Sequence, residues 1–463
     1  MKHQRETASE PKRLRGKTPA ILAVLIWNWA APALAQTDAT QASGAAYSPS
    51  ANQAPSPEIQ AETLTGDWGG LRTRLYDAGV DLSGGFKGEF ASDPQGGTKF
   101  GVTEVGQFSL SAVFDAQKLF DLTGGTFQVS ITYRQGATLA THFGLNLLQQ
   151  VQEVYGRGDV ARLTELSYQQ DLAGGAVTVK LGRLPEVDFE SSPCEFMSNA
   201  LCAGTAGGNI AGDYWYNSPI SQWAGWVRVN TGDFYSMLGA YESNPRDIDE
   251  SFAPGWFRGA TGVTGRAEED WTPKLGADQF QGRYQAGLWY DTAGGSDALL
   301  GSNGQPDILT GLPALHRDGR YGYYIQGLQQ LTGIGDLVPG EWKGVEGLTF
   351  FFNFIQADRA TTIQDNQAAA GIFYAAPFAA RPDDHIGIGI ARTDYNDRAA
   401  EAISLATPAA VRPQGEYTTE IFYSYLLTPW LTLRPDLQYI FNPGGYTNRT
   451  PALVIGARTD IVF

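Results

Sequence analysis

The sequence of 463 residues is poor in the features on which several protein classes depend. Beyond the first 35 residues, no segment supplies the ~20 consecutive apolar residues that a membrane-spanning helix needs. There are only four histidines, and the patterns G-x-S-x-G and H-E-x-x-H are missing. These absences argue against a helical membrane protein, a serine hydrolase of the nucleophile-elbow type and a zinc protease.

Positive charge is also scarce, because 33 lysines and arginines face 49 acids and give a formal net charge of −16. Residues 1–35 contain six of those basic residues and only two of the acids, so their removal leaves a still more acidic chain. A nucleic-acid binder gains its affinity by neutralising phosphates, so we expect no nucleic-acid partner. The acidity is explained either by hydrated loops or by an interior that disfavours polyanions.

The amino-terminal residues 1–35 have the pattern of a secretory signal peptide. A basic segment is followed by a short apolar run at residues 20–29, and Ala33-Leu34-Ala35 supplies small residues at the spacing of a cleavage site. A membrane anchor is the alternative, but Pro19, Asn28 and Pro32 leave the run too short to cross a bilayer easily. Residues 36–61, rich in Ser, Ala, Gln and Pro, are predicted to be a flexible leader.

The carboxy-terminal residues 452–463 predict a membrane-spanning β-strand. Apolar or small side chains recur at every second position and the chain ends on Phe463, whereas Arg458 and Asp460 lie on the opposite side. Such a strand suits a barrel wall with lipid on one side and a lumen on the other. The same period of two appears in segments that begin at Val80, Gln107 and Phe127 and, less cleanly, in nine later segments.

These strands predict an all-β fold, a transmembrane antiparallel β-barrel over residues 62–463. At ~10 residues a strand plus turns and loops, the chain after cleavage suits about 16 strands. A short helix is predicted between Asp67, a possible cap, and Gly79, either at the periplasmic mouth or inside the barrel. Two stretches, residues 185–217 and 245–275, show no strand pattern and predict long loops that fold inward, cover the outer mouth or lie on the surface.

The chain contains only two cysteines, Cys194 and Cys202, both within the first of these loops. An exported protein meets an oxidising compartment, which favours a disulfide between them, with two unpaired buried thiols as the alternative. Neither cysteine lies among histidines at metal-ligand spacing, so we expect no metal site. We also expect no other cofactor.

Several short segments, taken in their order along the chain, resemble the carbohydrate-selective porin family, the OprB-type outer-membrane channels. They are LTGDWGGLR at 64–72, TELSY at 164–168, LGR at 181–183, DF at 188–189, CEF at 194–196, YESNP at 241–245, PWL at 429–431, PDLQY at 435–439 and NPGG at 442–445. Each segment is weak alone, but together they run in family order over residues 62–463. The resemblance implies a barrel of about 16 strands through which sugars diffuse passively.

Strand periodicity identifies side chains that would line such a lumen. A sugar needs aromatic planes for its apolar faces and charged or amide groups for its hydroxyls. The candidates are Lys87, Glu89, Arg134, Glu165, Lys180, Trp226, Arg228, Arg283, Trp289, Glu420, Arg434 and Asp436. The alternative for each charged residue is a solvated lumen wall or a cross-strand ion pair, and the alternative for the two tryptophans is a position in an interfacial girdle.

The sequence therefore predicts a porin of the Gram-negative outer membrane that admits small neutral sugars such as glucose. Its other expected partners are outer-membrane lipids and the barrel-assembly machinery, for which Phe463 would be the recognition signal. A general porin without sugar selectivity is the alternative of the same class. An outer-membrane enzyme or a structural envelope protein is the alternative of a different class, although we expect no catalytic site.

Overall fold

The computed structural model describes residues 62–463 except 156–157, 250–251, 254, 256, 336 and 338–344. The predicted signal peptide and leader, residues 1–35 and 36–61, lie outside the described residues. Sixteen long strands pair in antiparallel order, each with its neighbour in the chain. The first and last of them also pair, with Phe86 opposite Ile461 and Lys87 opposite Asp460, so the sheet closes into a barrel. The predicted barrel of about 16 strands is confirmed.

The barrel strands, labelled in chain order, are β1 Val80–Gln95, β2 Val102–Asp115, β3 Gly125–Gly136, β4 Val160–Leu172, β5 Val177–Leu184, β6 Gln222–Thr231, β7 Phe234–Ser243, β8 Gly262–Trp271, β9 Phe280–Asp291, β10 Arg320–Gln330, β11 Gly347–Ala357, β12 Gln364–Ala375, β13 His385–Tyr395, β14 Gly415–Thr428, β15 Leu431–Phe441 and β16 Ala452–Val462. Lys274–Leu275 pairs with the start of β9, and Gly295–Gly301 pairs with Ala314–Arg317 in a separate hairpin.

Helices are short. The first precedes β1, and the others lie between strands. They are α1 Leu71–Asp77, α2 Ala116–Phe120, α3 Leu139–Phe143, α4 Ala206–Ile210, α5 Asp307–Thr310 and α6 Asp397–Ala406. Single 3-10 turns occur at Trp68–Gly70, Glu153–Tyr155, Ala173–Gly175, Glu186–Asp188, Pro245–Ile248 and Pro443–Gly445. In the described part of the chain, no helix is both long enough and apolar enough to cross a membrane.

The predicted amino-terminal helix is α1. An Asp67 carboxylate oxygen accepts hydrogen bonds from the amide and hydroxyl of Thr73, both at 2.8 Å. The chain turns after the helix at Gly79, whose φ of +93° favours glycine. The Arg72 guanidinium donates to the Leu82 carbonyl at 2.9 Å, which fixes the helix beside the first residues of β1. We call this end of the barrel, which also holds Phe463, the terminal end, and the opposite end the loop end.

For one of the two stretches predicted to lack strands, the prediction was wrong. Residues 245–275 contain the barrel strand β8, Gly262–Trp271. Its inward positions are charged, with Arg266 and Glu268 buried, whereas its outward positions include Gly265 and Glu269. Large apolar side chains occur on the outward face only at the ends of the strand, at Val263 and Trp271, so the apolar alternation is interrupted in between. Residues 185–217, all of which the structure describes, contain no strand.

Candidate functional site: the barrel lumen

The two faces of the sheet differ in chemistry. Outward positions are apolar and exposed along most strands, as at Phe108, Leu110, Ile131, Leu166, Leu181, Leu238, Leu288, Ile325, Ile372, Ile388, Ile421, Leu437 and Ile455. The intervening positions face the interior and are largely polar. An apolar outside and a polar inside are what a channel protein in a lipid bilayer requires.

Loop L3, residues 185–221, folds into the barrel and covers one part of its inner wall. Its Tyr214 and Trp215 are buried against Trp289 and Tyr324, and its Phe196 packs on Phe351 with ring centroids 5.7 Å apart. Phe196 also packs on rings of β12 and β14. We call the wall under L3, formed by β7–β14, the covered sector. Inward side chains there, such as Arg283 and Gln326, are almost completely buried, as the exposed fraction of 5% for Arg283 illustrates.

The wall formed by β1–β6 remains more accessible, and we call it the open sector. Inward polar side chains of this sector keep part of their surface exposed, at Lys87, Gln107, Ser109, Gln128, Ser130, Gln169, Arg228 and Asn230. Other inward side chains of the same strands, such as Glu165 and Lys180, are buried in ion pairs. The free cross-section of the barrel therefore lies between L3 and the open sector.

Three of the predicted residues hold L3 in place. Glu420 accepts hydrogen bonds from the backbone amides of Ser198 and Asn199 at 2.9 and 2.8 Å. Asp436 lies 3.3 Å from the Ser198 hydroxyl, which can donate to it. Arg434 donates to the Phe196 carbonyl at 2.9 Å. These contacts fix the position of L3 across the lumen.

A second loop, L2 (residues 137–155 and 158–159), enters the barrel beside L3. Its Glu153 carboxylate lies 3.3 Å from the Lys87 ammonium and 3.4 Å from the Arg458 guanidinium. Glu89 accepts a hydrogen bond from the Val154 amide at 3.1 Å. Burial alone would raise the pKa of Glu153, but Lys87 and Arg458 outweigh it and lower that pKa below its ordinary value. The Glu153 side chain is therefore held as an anion.

The next cluster in the open sector joins β4, β5 and β6 to the start of L3. Lys180 lies 2.8 Å from Glu165 and 3.2 Å from Asp188. Trp226 donates its indole N–H to Asp188 at 2.8 Å. Trp226 is only 7% exposed, so its ring forms part of the wall.

The remaining candidates divide between the two sectors. On the open side, Arg134 donates to the Gln107 amide oxygen at 2.6 Å. On the covered side, Arg283 pairs with Asp270 at 2.7 Å, and Trp289, 1% exposed, donates to the Tyr214 hydroxyl at 3.1 Å. Trp289 lies under L3, so its ring is accessible neither from the lumen nor from lipid.

Several charged residues of the lumen were missing from the sequence-based set. Arg458 and Asp460 lie 3.2 Å apart and face inward on β16. In the sequence both residues alternate with the apolar positions of the last strand, and this alternation could have predicted that they face the lumen. Glu153 and Asp188 lie in loops, where no periodicity predicts direction. Among the described residues, no group of three or more histidines, cysteines and acids is arranged to hold a metal ion.

Cys194 and Cys202 form a disulfide, as predicted. Both cysteines are buried and pack with Phe351 and Phe373 of the covered sector. The bridge closes a short ring around Phe196, the residue that inserts between the rings of the covered sector. It therefore constrains the part of L3 that packs against β11, β12 and β14.

Comparisons with known proteins agree with this architecture. The family described as "Carbohydrate-selective porin, OprB family" matches residues 99–463. Porin B of Pseudomonas aeruginosa is 37% identical over 422 residues, which cover 86% of this chain and 91% of that protein. The high-pH structure of Pseudomonas putida OprB is 34% identical, with a TM-score of 0.82 over 88% of this chain and 100% of that one. The low-pH structure of the same protein gives a TM-score of 0.56 at 26% identity over 88% of this chain.

Proposed function

The chain belongs to the OprB family of carbohydrate-selective porins, and we propose that a monosaccharide such as glucose crosses it along the open sector of the lumen. It is a sugar-selective porin of the Gram-negative outer membrane. The observation that carries the proposal is the asymmetry of the wall. Partly exposed amide, hydroxyl and charged side chains line the open sector, whereas L3 covers the opposite wall.

In this proposal the open sector replaces the water that a sugar loses on entry. Lys87, Gln107 and Ser130 offer donors and acceptors to sugar hydroxyls, so each hydroxyl exchanges one partner for another. Nearby ion pairs such as Lys87–Glu153 can share their charge with a passing hydroxyl without separating. The resulting contacts are weak, which a channel needs if the solute is to leave as readily as it enters.

The predicted residues then take different roles. Lys87, Glu89, Arg134, Glu165, Lys180, Trp226 and Arg228 belong to the wall of the path. Glu420, Arg434 and Asp436 hold L3 and set the width of the path without touching the sugar. Arg283 and Trp289 support the covered sector from behind L3.

Thiol modification of single-cysteine variants tests this path. Both native cysteines are joined in the disulfide, so no free thiol competes for the reagent. In planar bilayers, a charged methanethiosulfonate reagent should reduce the current through Ser130→Cys and weaken its block by glucose. Thr349→Cys, on the inward face of β11 and 0% exposed, is the control that should not react. If the reagent reduced the current through Thr349→Cys and left that through Ser130→Cys unchanged, the path would not follow the open sector.

Three further parts of the proposal concern export and membrane assembly. Residues 1–35 are removed on export, which amino-terminal sequencing of the protein from outer membranes would test. The outward apolar residues bind lipid chains. Phe463, whose amide donates to the Gly84 carbonyl at 2.9 Å and whose ring lies 6.3 Å from that of Phe108, is recognised by the barrel-assembly machinery.

A further inference from the structure

Arg228 is a partly exposed cation of the lumen that has no counter-ion among the described residues. Within the described residues, its guanidinium has no hydrogen bond and no carboxylate within 4 Å, and its buried Nε is unsatisfied. Carboxylates do lie within that distance of Lys87, Lys180, Arg183, Arg283, Arg320, Arg434 and Arg458. Within the described residues Arg266 also has no carboxylate within 4 Å, but it is 3% exposed and enclosed between the rings of Trp215 and Tyr241.

Two aromatic rings flank the guanidinium of Arg228. Its central carbon lies 5.8 Å from the ring centroid of Trp226 and 5.5 Å from that of Tyr235. Neither ring is free to turn away, because Trp226 donates to Asp188 and Tyr235 donates to Glu268 at 2.6 Å. The guanidinium of Arg228 therefore lies between two aromatic rings whose positions are fixed by hydrogen bonds.

The position of Arg228 makes it available to a solute. It faces inward on β6, opposite Thr178 on β5 and Met237 on β7, and part of its surface is exposed. The turn at Gly232 and Asp233 follows closely, so Arg228 lies near the terminal end of the open sector. Asn230, the next inward residue towards that end, is also partly exposed.

A partly exposed guanidinium without a counter-ion is a site for an oxyanion. Guanidinium groups bind carboxylates through two parallel hydrogen bonds, and the planar ion keeps this geometry when it stacks on aromatic rings. Carboxylates in the same part of the wall are already engaged. Asp171, opposite Thr178, accepts from the Thr178 hydroxyl, and Glu268, opposite Met237, accepts from Tyr235. Asp188 is engaged by Lys180 and Trp226. They also repel highly charged anions, which favours a solute with a single negative charge.

We propose that Arg228 forms a carboxylate-binding subsite through which this porin also admits sugar acids, polyols that carry one carboxylate. The polyol part would use the same hydroxyl-binding wall as a neutral sugar, so this inference rests on the proposed path through the open sector. The carboxylate would bind to Arg228, with the amide of Asn230 within the same stretch of wall.

Single-channel current measured in excess potassium chloride tests the subsite, with gluconate and glucose as the two probes. For the unmodified protein, gluconate should reach half-block at about threefold to tenfold lower concentration than glucose, as expected for a partly exposed charge-assisted contact. Arg228→Gln should raise the gluconate value to that of glucose and leave the glucose value within about twofold. Arg228→Lys should retain part of the preference, because it keeps the charge and loses the paired hydrogen bonds.

Arg392→Gln is the matched control. Arg392 also lies over a tyrosine ring, 5.6 Å from the centroid of Tyr417, but it pairs with Asp394 near the loop end and does not belong to the open sector. This variant should keep the gluconate preference. Equal block by the two probes in the unmodified protein, or a preference that survives Arg228→Gln, would overturn the subsite. Failure of glucose to block the unmodified channel would instead overturn the proposed sugar path.

Discussion

The ammonium nitrogen of Lys87 lies 3.3 Å from a carboxylate oxygen of Glu153, which ties the first strand of the barrel to loop L2. The same carboxylate lies 3.4 Å from Arg458 on the last strand. One loop residue therefore bridges the two strands that close the barrel. Since Lys87 is also partly exposed to the lumen, this ion pair links the position of L2 to the chemistry of the open sector.

Glu153→Gln should release L2 from the wall. The change removes the negative charge that Lys87 and Arg458 share. Arg458 keeps its contact with Asp460, and the lost charged contacts should cost about 1–3 kcal/mol. We expect larger fluctuations of the open-channel current and a higher mean conductance in planar bilayers. Glu269→Gln is the control, since Glu269 faces outward and accepts from Ser236. A quiet Glu153→Gln channel of unchanged conductance would contradict the bridging role.

Loops at the loop end should keep their contacts in moderately acidic solution. Asp297 accepts from Arg317 at 2.8 Å, from the Leu300 amide at 2.8 Å and from Arg398 of α6. Burial would raise the pKa of Asp297, but these donors outweigh it and lower the pKa to about 2. Because the folded-state pKa is depressed, the stabilisation is complete above the ordinary value of 3.8 and is lost as pH falls through about 2.

Hydrogen exchange of residues 295–317 measures this contact. Protection should be constant between pH 7 and about pH 4, after correction for the intrinsic exchange rate. Asp297→Asn should lower the protection throughout that range. Asp318→Asn, an exposed aspartate of the same loop, should not. Loss of protection in the unmodified protein well above pH 4 would show that other groups control the loop.

The two predicted tryptophans should respond differently to removal. Trp226→Ala removes the ring that donates to Asp188 and flanks Arg228 in the open sector, so half-block by glucose should need about twofold to tenfold more sugar. Trp289→Ala empties a buried site under L3 and should cost about 3–5 kcal/mol of stability. The temperature at which the barrel loses its folded mobility on a gel reports the second effect. Identical stability and block in both variants would refute this division.

Removal of the disulfide should loosen L3 while leaving the barrel intact. Cys194→Ser with Cys202→Ser frees a short ring, which is worth about 2–3 kcal/mol by the loop-closure estimate. The resulting channel should be noisier and should bind glucose more weakly, and a reductant should have the same effect on the unmodified protein. Heat-dependent gel mobility should change little. Channels indistinguishable with and without the bridge would show that the packing of Phe196 alone positions L3.

The last residue should matter for assembly more than for transport. Phe463→Ala should reduce the amount of protein that reaches the outer membrane several-fold, whereas the channels that do form should conduct normally. Phe441→Ala, which removes another exposed ring from the outward face, is the control. Quantitative blots of outer-membrane fractions measure the effect. Normal assembly of Phe463→Ala would remove the carboxy-terminal aromatic as an assembly signal.

Most of the barrel could be predicted because lipid and lumen impose opposite chemistry on alternate residues. The strands that escaped prediction are those in which this contrast disappears. In β7, aromatic and apolar side chains such as Phe234 and Tyr241 occupy both faces, and in β12 a run of alanines around Ala369 does so. In both strands the extended conformation is stabilised by pairing with the neighbouring strands, and the sequence shows no alternation of apolar and polar residues that would predict it.

The lumen was less predictable than the wall. Periodicity gave the direction of Glu420 and Asp436, and both face inward, yet their role in holding L3 depends on the amides of Ser198 and Asn199, more than 200 residues away. Likewise, nothing local distinguishes Trp226 in the open sector from Trp289 beneath the loop. Accessibility is set by which wall L3 packs against, and that contact is entirely long-range.

The pairing of β1 with β16 has a consequence for how the protein folds. The two strands are the first and last of the barrel, so their seam joins the described residues with the largest sequence separation, and we expect it to close last. Until then the growing sheet carries two open edges, each able to pair with another chain. The final strand thus completes the wall and also ends the period in which the unfinished sheet can aggregate.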